Sequence, residues 1–401
     1  MVAGRDKRAK IMQATPPGQK LQALLGGGAF ILLLAGTNTP TPLLPVYREV
    51  LGFSPLTMTL TYISYVGALV AVLFVAASPA IASRAPLMLV LSLGLACAAD
   101  LLLGTGQAPG ILAGRALQGL SGGLGTGAAA AVVVAAIGAG GRALSATGNL
   151  AGAILGTSAS ELVLQLTGTR AITLSFHIHA LACIALSLPL ALLLMRRRAL
   201  NQQSIHTGTA NLDPVSPILR ANWRPLLTGC LTWSALSSAI VFLPSYFADH
   251  GMPLVQALGI PLLLLASLIV QLASPRMARL WPQLSGLLSI ALGLAAILIA
   301  AATGQDLPGL AGFVLIGAGA GGAYRLSLIL LTQGTGAATQ GRLASLYAAI
   351  TYGVTASVVL LAGAVAQRAG LVPVTTLLLA VTLLGCLAAL PLAPRLGRSG
   401  P

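Results

Sequence analysis

Apolar positions in this chain neither alternate with polar ones nor recur at the period of a half-buried helix. They run on in blocks of about 20 residues, the length that spans a hydrocarbon core of about 30 Å. Twelve blocks can be marked, at 21–38, 56–78, 86–105, 110–136, 142–166, 172–195, 222–247, 254–274, 283–302, 308–332, 342–366 and 371–393. The pattern predicts an all-α polytopic membrane protein. The first block follows a basic tail as a signal peptide would, but eleven more follow it, so it reads as an uncleaved helix.

Composition agrees, since 56% of the 401 residues are hydrophobic and 7% charged, against roughly 25% charged in a soluble domain. The net charge of +15 would suggest a nucleic-acid partner in a soluble protein. Here it marks topology. Seventeen of the 22 Lys and Arg fall in the tails and alternate connections that share one side, Arg48, Arg170 and Arg368 fall on the other, and Arg115 and Arg325 lie within spans. Basic excess marks the cytoplasmic side, so both termini are expected there, in a bacterial-type inner membrane, with no nucleic acid involved. Cys97, Cys183, Cys230 and Cys386 all fall in spans at no metal-ligand spacing, which predicts neither disulfide framework nor zinc site.

The longest polar break, 196–221, opens with three arginines and divides the spans six and six. The expected organisation is a disordered basic tail at 1–19, an N-terminal bundle at 20–195, a cytoplasmic linker at 196–221, a C-terminal bundle at 222–394 and a short tail at 395–401. The halves echo each other. Ala77-Ser78-Pro79 with Pro86 recurs as Ala273-Ser274-Pro275 with Pro282, Gly119 and Gly123 as Gly317 and Gly321, and Gly141-Arg142 with Ser145 as Gly341-Arg342 with Ser345. The offsets stay within 196 to 200, as an internal duplication predicts.

The fourth span, around ILAGRALQGLSGGLGTG, combines costly features. An arginine near a bilayer centre costs roughly 2.5–3.5 kcal/mol on insertion scales, and each glycine about 1 kcal/mol of helix propensity. Spaced by four, Gly119, Gly123 and Gly127 share one face and let a neighbouring helix approach, and Gly148, Gly152 and Gly156 do the same in the fifth span. Arg115, Gln118 and Ser121 form a separate polar stripe.

Leu112, Arg115, Gln118, Gly119 and the small residues after them resemble the R-x-x-Q-G pattern of the major facilitator superfamily. The resemblance extends over all twelve spans and implies two pseudo-symmetric six-helix bundles around a central cavity lined by spans 1, 4, 7 and 10. In that family the arginine is associated with proton coupling. The glycines of span 5 match part of the antiporter signature, but Thr157 stands in place of a proline, and Ser160 and Glu161 in place of two glycines. The acidic-basic motif of the loop between spans 2 and 3 reads AASPAIASR over Ala76 to Arg84, and only Arg84 survives of it.

Five of the seven acids fall in tails or connections, leaving Asp100 and Glu161. Glu161 and Arg115 lie at similar depth towards the outer side. A carboxylate there can be ionised beside the arginine or protonated without it, so Glu161, Arg115 and Asp100 are the proton-coupling candidates. The rival reading is a fixed Arg115–Glu161 salt bridge. Asp100, near the outer end of a peripheral helix, can equally serve an interface. His177 and His179 open the sixth span. Asn38, Gln118, Trp233, Tyr324, Arg325 and Tyr352 are the cavity candidates, with a cap or helix-to-helix glue as the alternative for Asn38, an arginine bonded to backbone carbonyls or pointing to the cytoplasmic edge for Arg325, and plain packing for the aromatics.

The expected function is secondary transport of a small organic molecule by alternating access, with proton-coupled export favoured. The proton gradient would supply the energy without a cofactor, and the chain would act as a monomer in the bilayer. Uptake or uniport of an organic anion or zwitterion remains open, as does a receptor or scaffold. H-E-x-x-H, G-x-S-x-G and G-x-x-x-x-G-K-[ST] are all absent, so no enzyme is expected.

Overall fold

The structure, a computed structural model, describes residues 17–76, 84–137, 140–201, 215–280, 285–332 and 337–393. Residues 1–16 of the basic tail, the motif loop 77–83, the linker core 202–214 and the end from 394 lie outside the described residues. Twelve long helices carry the chain: α1 (Pro17–Asn38), α2 (Pro55–Ala76), α3 (Ala85–Leu103), α4 (Ala108–Ile137), α5 (Gly140–Thr167) and α6 (Ala171–Asn201), then α7 (Trp223–Asp249), α8 (Pro253–Leu280), α9 (Gly286–Thr303), α10 (Asp306–Thr332), α11 (Ala337–Ala369) and α12 (Leu371–Ala389). Each contains a block marked in the sequence, with ends displaced by a few residues. Among the described residues eleven stretches are long and apolar enough to cross a membrane, and one of them, Gly148–Arg196, takes in most of both α5 and α6.

Successive helices run in opposite directions. One end of the molecule, here the proximal end, therefore carries Pro17, the end of α6 and the start of α7, and the distal end carries the α1–α2 and α7–α8 connections. The duplication holds in packing. An added Cβ on Gly119 or Gly123 would meet α2, at the Tyr65 carbonyl and the Val72 side chain, and one on Gly317 or Gly321 would meet α8, at the Leu263 and Ser267 carbonyls. In both halves the fourth helix is thus pressed against the second through the same two glycines. Gly148, Gly152 and Gly156 press α5 onto Phe30, Leu34 and Ala35 of α1 in the same way. Gly127 departs from its ladder, since an added Cβ there meets nothing within 4 Å.

The first helix is broken. Pro40, Pro42 and Pro45 follow Asn38 closely, and proline supplies no N–H to continue a helix. The segment beyond was expected as an outer connection. It is folded into a 3-10 turn, Thr41–Leu43, and a short helix, Leu44–Leu51, whose Leu43 and Tyr47 are fully buried with Phe53, Met58 and Phe176. Gly52 ends this helix at φ 66, a left-handed geometry that suits glycine.

Candidate functional site

The break in α1 organises the polar interior of the N-terminal bundle. The last carbonyls of a helix have no partner within it. Those of Ala35 and Gly36 accept from the Thr39 amide at 3.0 and 3.3 Å, but Pro40 has no amide to give. Gln118 replaces it, its Nε2 donating to the Gly36 carbonyl at 2.8 Å. Arg115 donates through Nη1 to the Thr37 carbonyl at 2.8 Å and to Gln118 Oε1 at 2.6 Å, and through Nε to the Thr61 carbonyl of α2 at 3.0 Å. Its guanidinium also lies 4.6 Å from the ring centre of Tyr65. A cation at a helix C-terminus meets the negative end of the helix dipole, and charge-assisted bonds to several carbonyls offset its burial. The stripe read at spacing three is therefore real, with Ser121 bonded back to the Gln118 carbonyl at 3.1 Å. Arg115 and Gln118, at 6% and 2% exposure, are enclosed within the N-terminal bundle.

The expected meeting of Arg115 with Glu161 does not occur. Arg115 turns towards the ends of α1 and α2, and among the described residues no cation pairs with Glu161. The acid instead accepts from Gln165 at 2.7 Å on its own helix. It borders a small gap between the bundles, with Thr157, Pro244, Gln256 and Pro261 around it. Depth arithmetic matched the two residues but said nothing of azimuth, and on a helix direction decides contact.

Asp100 is fully buried, and its partner is His179 of α6, whose Nδ1 stands 2.6 Å from Asp100 Oδ2. The other ring nitrogen bonds the Leu32 carbonyl of α1 at 2.8 Å. The sequence held a signal for this pair, since Asp100 lies near the distal end of α3 and His179 near the distal start of α6. Asn38 turns back on its own helix, donating to the Leu34 carbonyl at 2.8 Å and to Thr37 Oγ1 at 3.1 Å, which is the capping role. Arg325 reaches α8, donating to the Gln271 carbonyl at 2.5 Å and to Ser274 Oγ, which is the backbone-bonded arrangement.

The aromatics are brought together. Trp233 of α7 packs on Tyr352 of α11 with ring centres 4.5 Å apart and meets Tyr324 of α10 edge-on at 5.6 Å. Tyr347, not singled out from sequence, extends the cluster from Tyr324 at 5.3 Å. Trp233, Tyr324 and Tyr352 are only partly covered, as are Tyr62 and Tyr65 across the bundle interface. Tyr62 also bonds Ser237 of α7 at 2.7 Å. At the distal end Arg48 and Asp249 form a bidentate ion pair between the halves. They lie 201 residues apart, close to the repeat offset, so equivalent positions of opposite charge face each other. Both of these links between the bundles end on α7, one from the α1–α2 connection and one from α2.

These features meet a known family. The sequence profile of the Major Facilitator Superfamily matches residues 25–359. The chain belongs to that superfamily. It is a multi-pass membrane protein and, by family, a secondary transporter. A variant of the nucleoside transporter NupG superposes with a TM-score of 0.70 at 13% identity, over 93% of this chain and 99% of its own. A bacterial homologue of the human lysosomal transporter Spinster, inward-facing and unoccupied, gives 0.71 at 11% identity, over 96% and 98%. At such identities the likeness is one of fold. No curated protein matches the sequence.

Proposed function

We propose that this protein exports a small organic molecule in exchange for protons, by alternating access between its two bundles. The observation that carries the alternating-access reading is the one-sided closure. Polar links tie the bundles at the distal end through Arg48–Asp249 and deeper in through Tyr62–Ser237, near the middle of α7, and both can separate without disturbing either bundle's own core. The basic residues clustered at the proximal end support a cytoplasmic location for it in a bacterial-type inner membrane. The distal links would then close the outer side.

The partly covered rings of Trp233, Tyr324 and Tyr352 favour a substrate with a planar apolar face, since such rings bind by stacking and edge contacts. NupG is a nucleoside transporter, so nucleosides belong among the solutes to test. Glu161 stays a coupling candidate through its place in the gap between α5 and α8, where protonation would alter the bundle interface. No cofactor beyond the proton gradient and no second subunit enters this reading. The altered antiporter signature at Thr157, Ser160 and Glu161 favours one second reading, uptake or uniport.

The test is a pH-jump flux measurement on the full chain in liposomes, with organic anions, zwitterions, cations and nucleosides. Solute-dependent proton movement opposite to solute movement supports antiport. Movement of both in one direction gives uptake by symport, and solute equilibration without protons gives uniport. Either of the last two overturns the export reading.

A further inference from the structure

The Asp100–His179 pair lies inside the N-terminal bundle, apart from the aromatic cluster, and is built for one proton. The Leu32 carbonyl can only accept, so His179 Nε2 carries a hydrogen. Nδ1 and Asp100 Oδ2 are 2.6 Å apart. Two lone pairs repel at that distance, so a proton must lie between them. With it the pair is neutral, and without it the pair carries one negative charge. The other carboxylate oxygen, Oδ1, is buried with no hydrogen-bond partner, so little there would stabilise that charge. Both ring nitrogens being engaged, neither offers a lone pair to a metal.

Around the pair stand Cys183, whose Sγ is 3.8–3.9 Å from the ring nitrogens, and, at longer range, Cys97 of α3 and His177 of α6. α1 presents the Leu32 carbonyl and Gly36, and α5 presents Ser160. The one ionisable group of α4, Arg115, is turned away to α1 and α2. A crevice of about 180 Å³ between α1, α5 and α6, edged by Thr39, Ser160 and Ser175, reaches the His179 ring.

We propose that Asp100 and His179 form the proton-binding site of the transport cycle, and that α1 carries its state to the cavity. α1 is held by three side chains over one short stretch: His179 at the Leu32 carbonyl, Gln118 at that of Gly36 and Arg115 at that of Thr37. A Cβ on Gly36 would overlap the His179 ring, so that glycine lets α1 sit this close. Loss of the shared proton sets two lone pairs against each other. The ring moves from Asp100, and α1, bonded to it, moves too. Arg115 and Gln118 grip the far end of the same stretch, and Arg115 touches Tyr65 at the cavity.

This inference rests on the proton-coupled reading above. Infrared difference spectroscopy on the full chain in liposomes, across roughly pH 5 to 8, reads the carboxyl and imidazole bands. The expected result is a pH-dependent signal in the natural protein that is lost in Asp100→Asn. Its midpoint should shift when Asp249→Ala opens the distal pair, by up to about fivefold in proton affinity. If Asp100→Asn does not assemble, carbon-13 aspartate in the natural protein together with His179→Gln makes the assignment. No Asp100-dependent signal, or one unmoved by Asp249→Ala, overturns the proposal and leaves a structural bond. Proton flux persisting in folded Asp100→Asn also overturns it while sparing coupled transport. A signal that titrates and shifts in a protein showing no flux supports the proton site and removes the transport reading for the solutes tested.

Discussion

In the C-terminal half the first helix, α7, runs unbroken from Trp223 to Asp249, whereas its N-terminal counterpart stops at Asn38 and resumes at Leu44. The fourth helices differ to match. At an offset of 198, Arg115 corresponds to Phe313 and Gln118 to Ile316, and both C-terminal residues are buried and apolar. Pro244 lies inside α7 and withholds one amide from it without ending it, so hydrocarbon can pack along the helix where it is continuous. Where prolines break it, open carbonyls need donors, and an arginine and a glutamine provide them. The buried charge of the N-terminal half is thus tied to a broken backbone. In the other half Trp233, Tyr324 and Tyr352 form an aromatic cluster instead.

The strongest test converts one half to the other. Arg115→Leu leaves the Thr37 carbonyl and Gln118 Oε1 without their donor, and removing one member of a buried charged network costs about 3–5 kcal/mol. Phe313→Leu, a change of shape in an apolar site, should cost about 1.5 kcal/mol or less. Unfolding of the two variants in detergent, each against the natural protein, measures the contrast. Near-equal losses would mean that Arg115 does not cap α1, and the comparison would fail.

The glycine pairs should behave alike in the two halves. Gly119→Ala and Gly317→Ala place a methyl on the Tyr65 and Leu263 carbonyls, and each is expected to lose about 1–3 kcal/mol through separation of the fourth helix from the second. Gly127→Ala, in open space on the same helix, should be neutral or gain up to about 1 kcal/mol of helix propensity. The same unfolding assay reads all three. A large loss at Gly127, or a difference between the paired glycines, would break the equivalence of the halves.

Much of this was readable before the structure, and the reason is physical. Apolar blocks must match the membrane thickness, so the helices followed from length alone, and constant offsets exposed the duplication at Gly119 and Gly317. The polar stripe of Arg115 and Gln118 followed from helical spacing. Pairing between helices did not follow. Glu161 and Arg115 lie at matching depth yet face different neighbours, while Asp100 and His179, at similar depth on other helices, meet. Depth follows from counting residues, but azimuth depends on how each bundle closes. The Thr41–Leu51 stretch, buried from Thr41 to Pro45 and at Tyr47, was missed because its prolines resemble an exposed loop, although one of them starts a helix there.

The smallest stability effect belongs to the contact that joins the two halves. Arg48 and Asp249 are each about one quarter exposed, and a pair so placed contributes about 1 kcal/mol or less. Asp249→Ala should therefore leave unfolding nearly unchanged. The bundles are held at the distal end by few polar links, however, so the same small energy is about fivefold in an open-to-closed ratio. A cysteine placed at Ser237, beneath the pair, should react faster with a water-soluble maleimide in Asp249→Ala than in the otherwise natural chain. Arg48→Asp combined with Asp249→Arg should restore slow labelling, because exchanging the partners preserves the attraction across the repeat axis. If the exchanged pair labels as fast as Asp249→Ala, the contact does not hold the distal end closed, and closure rests on α2 and α7 alone.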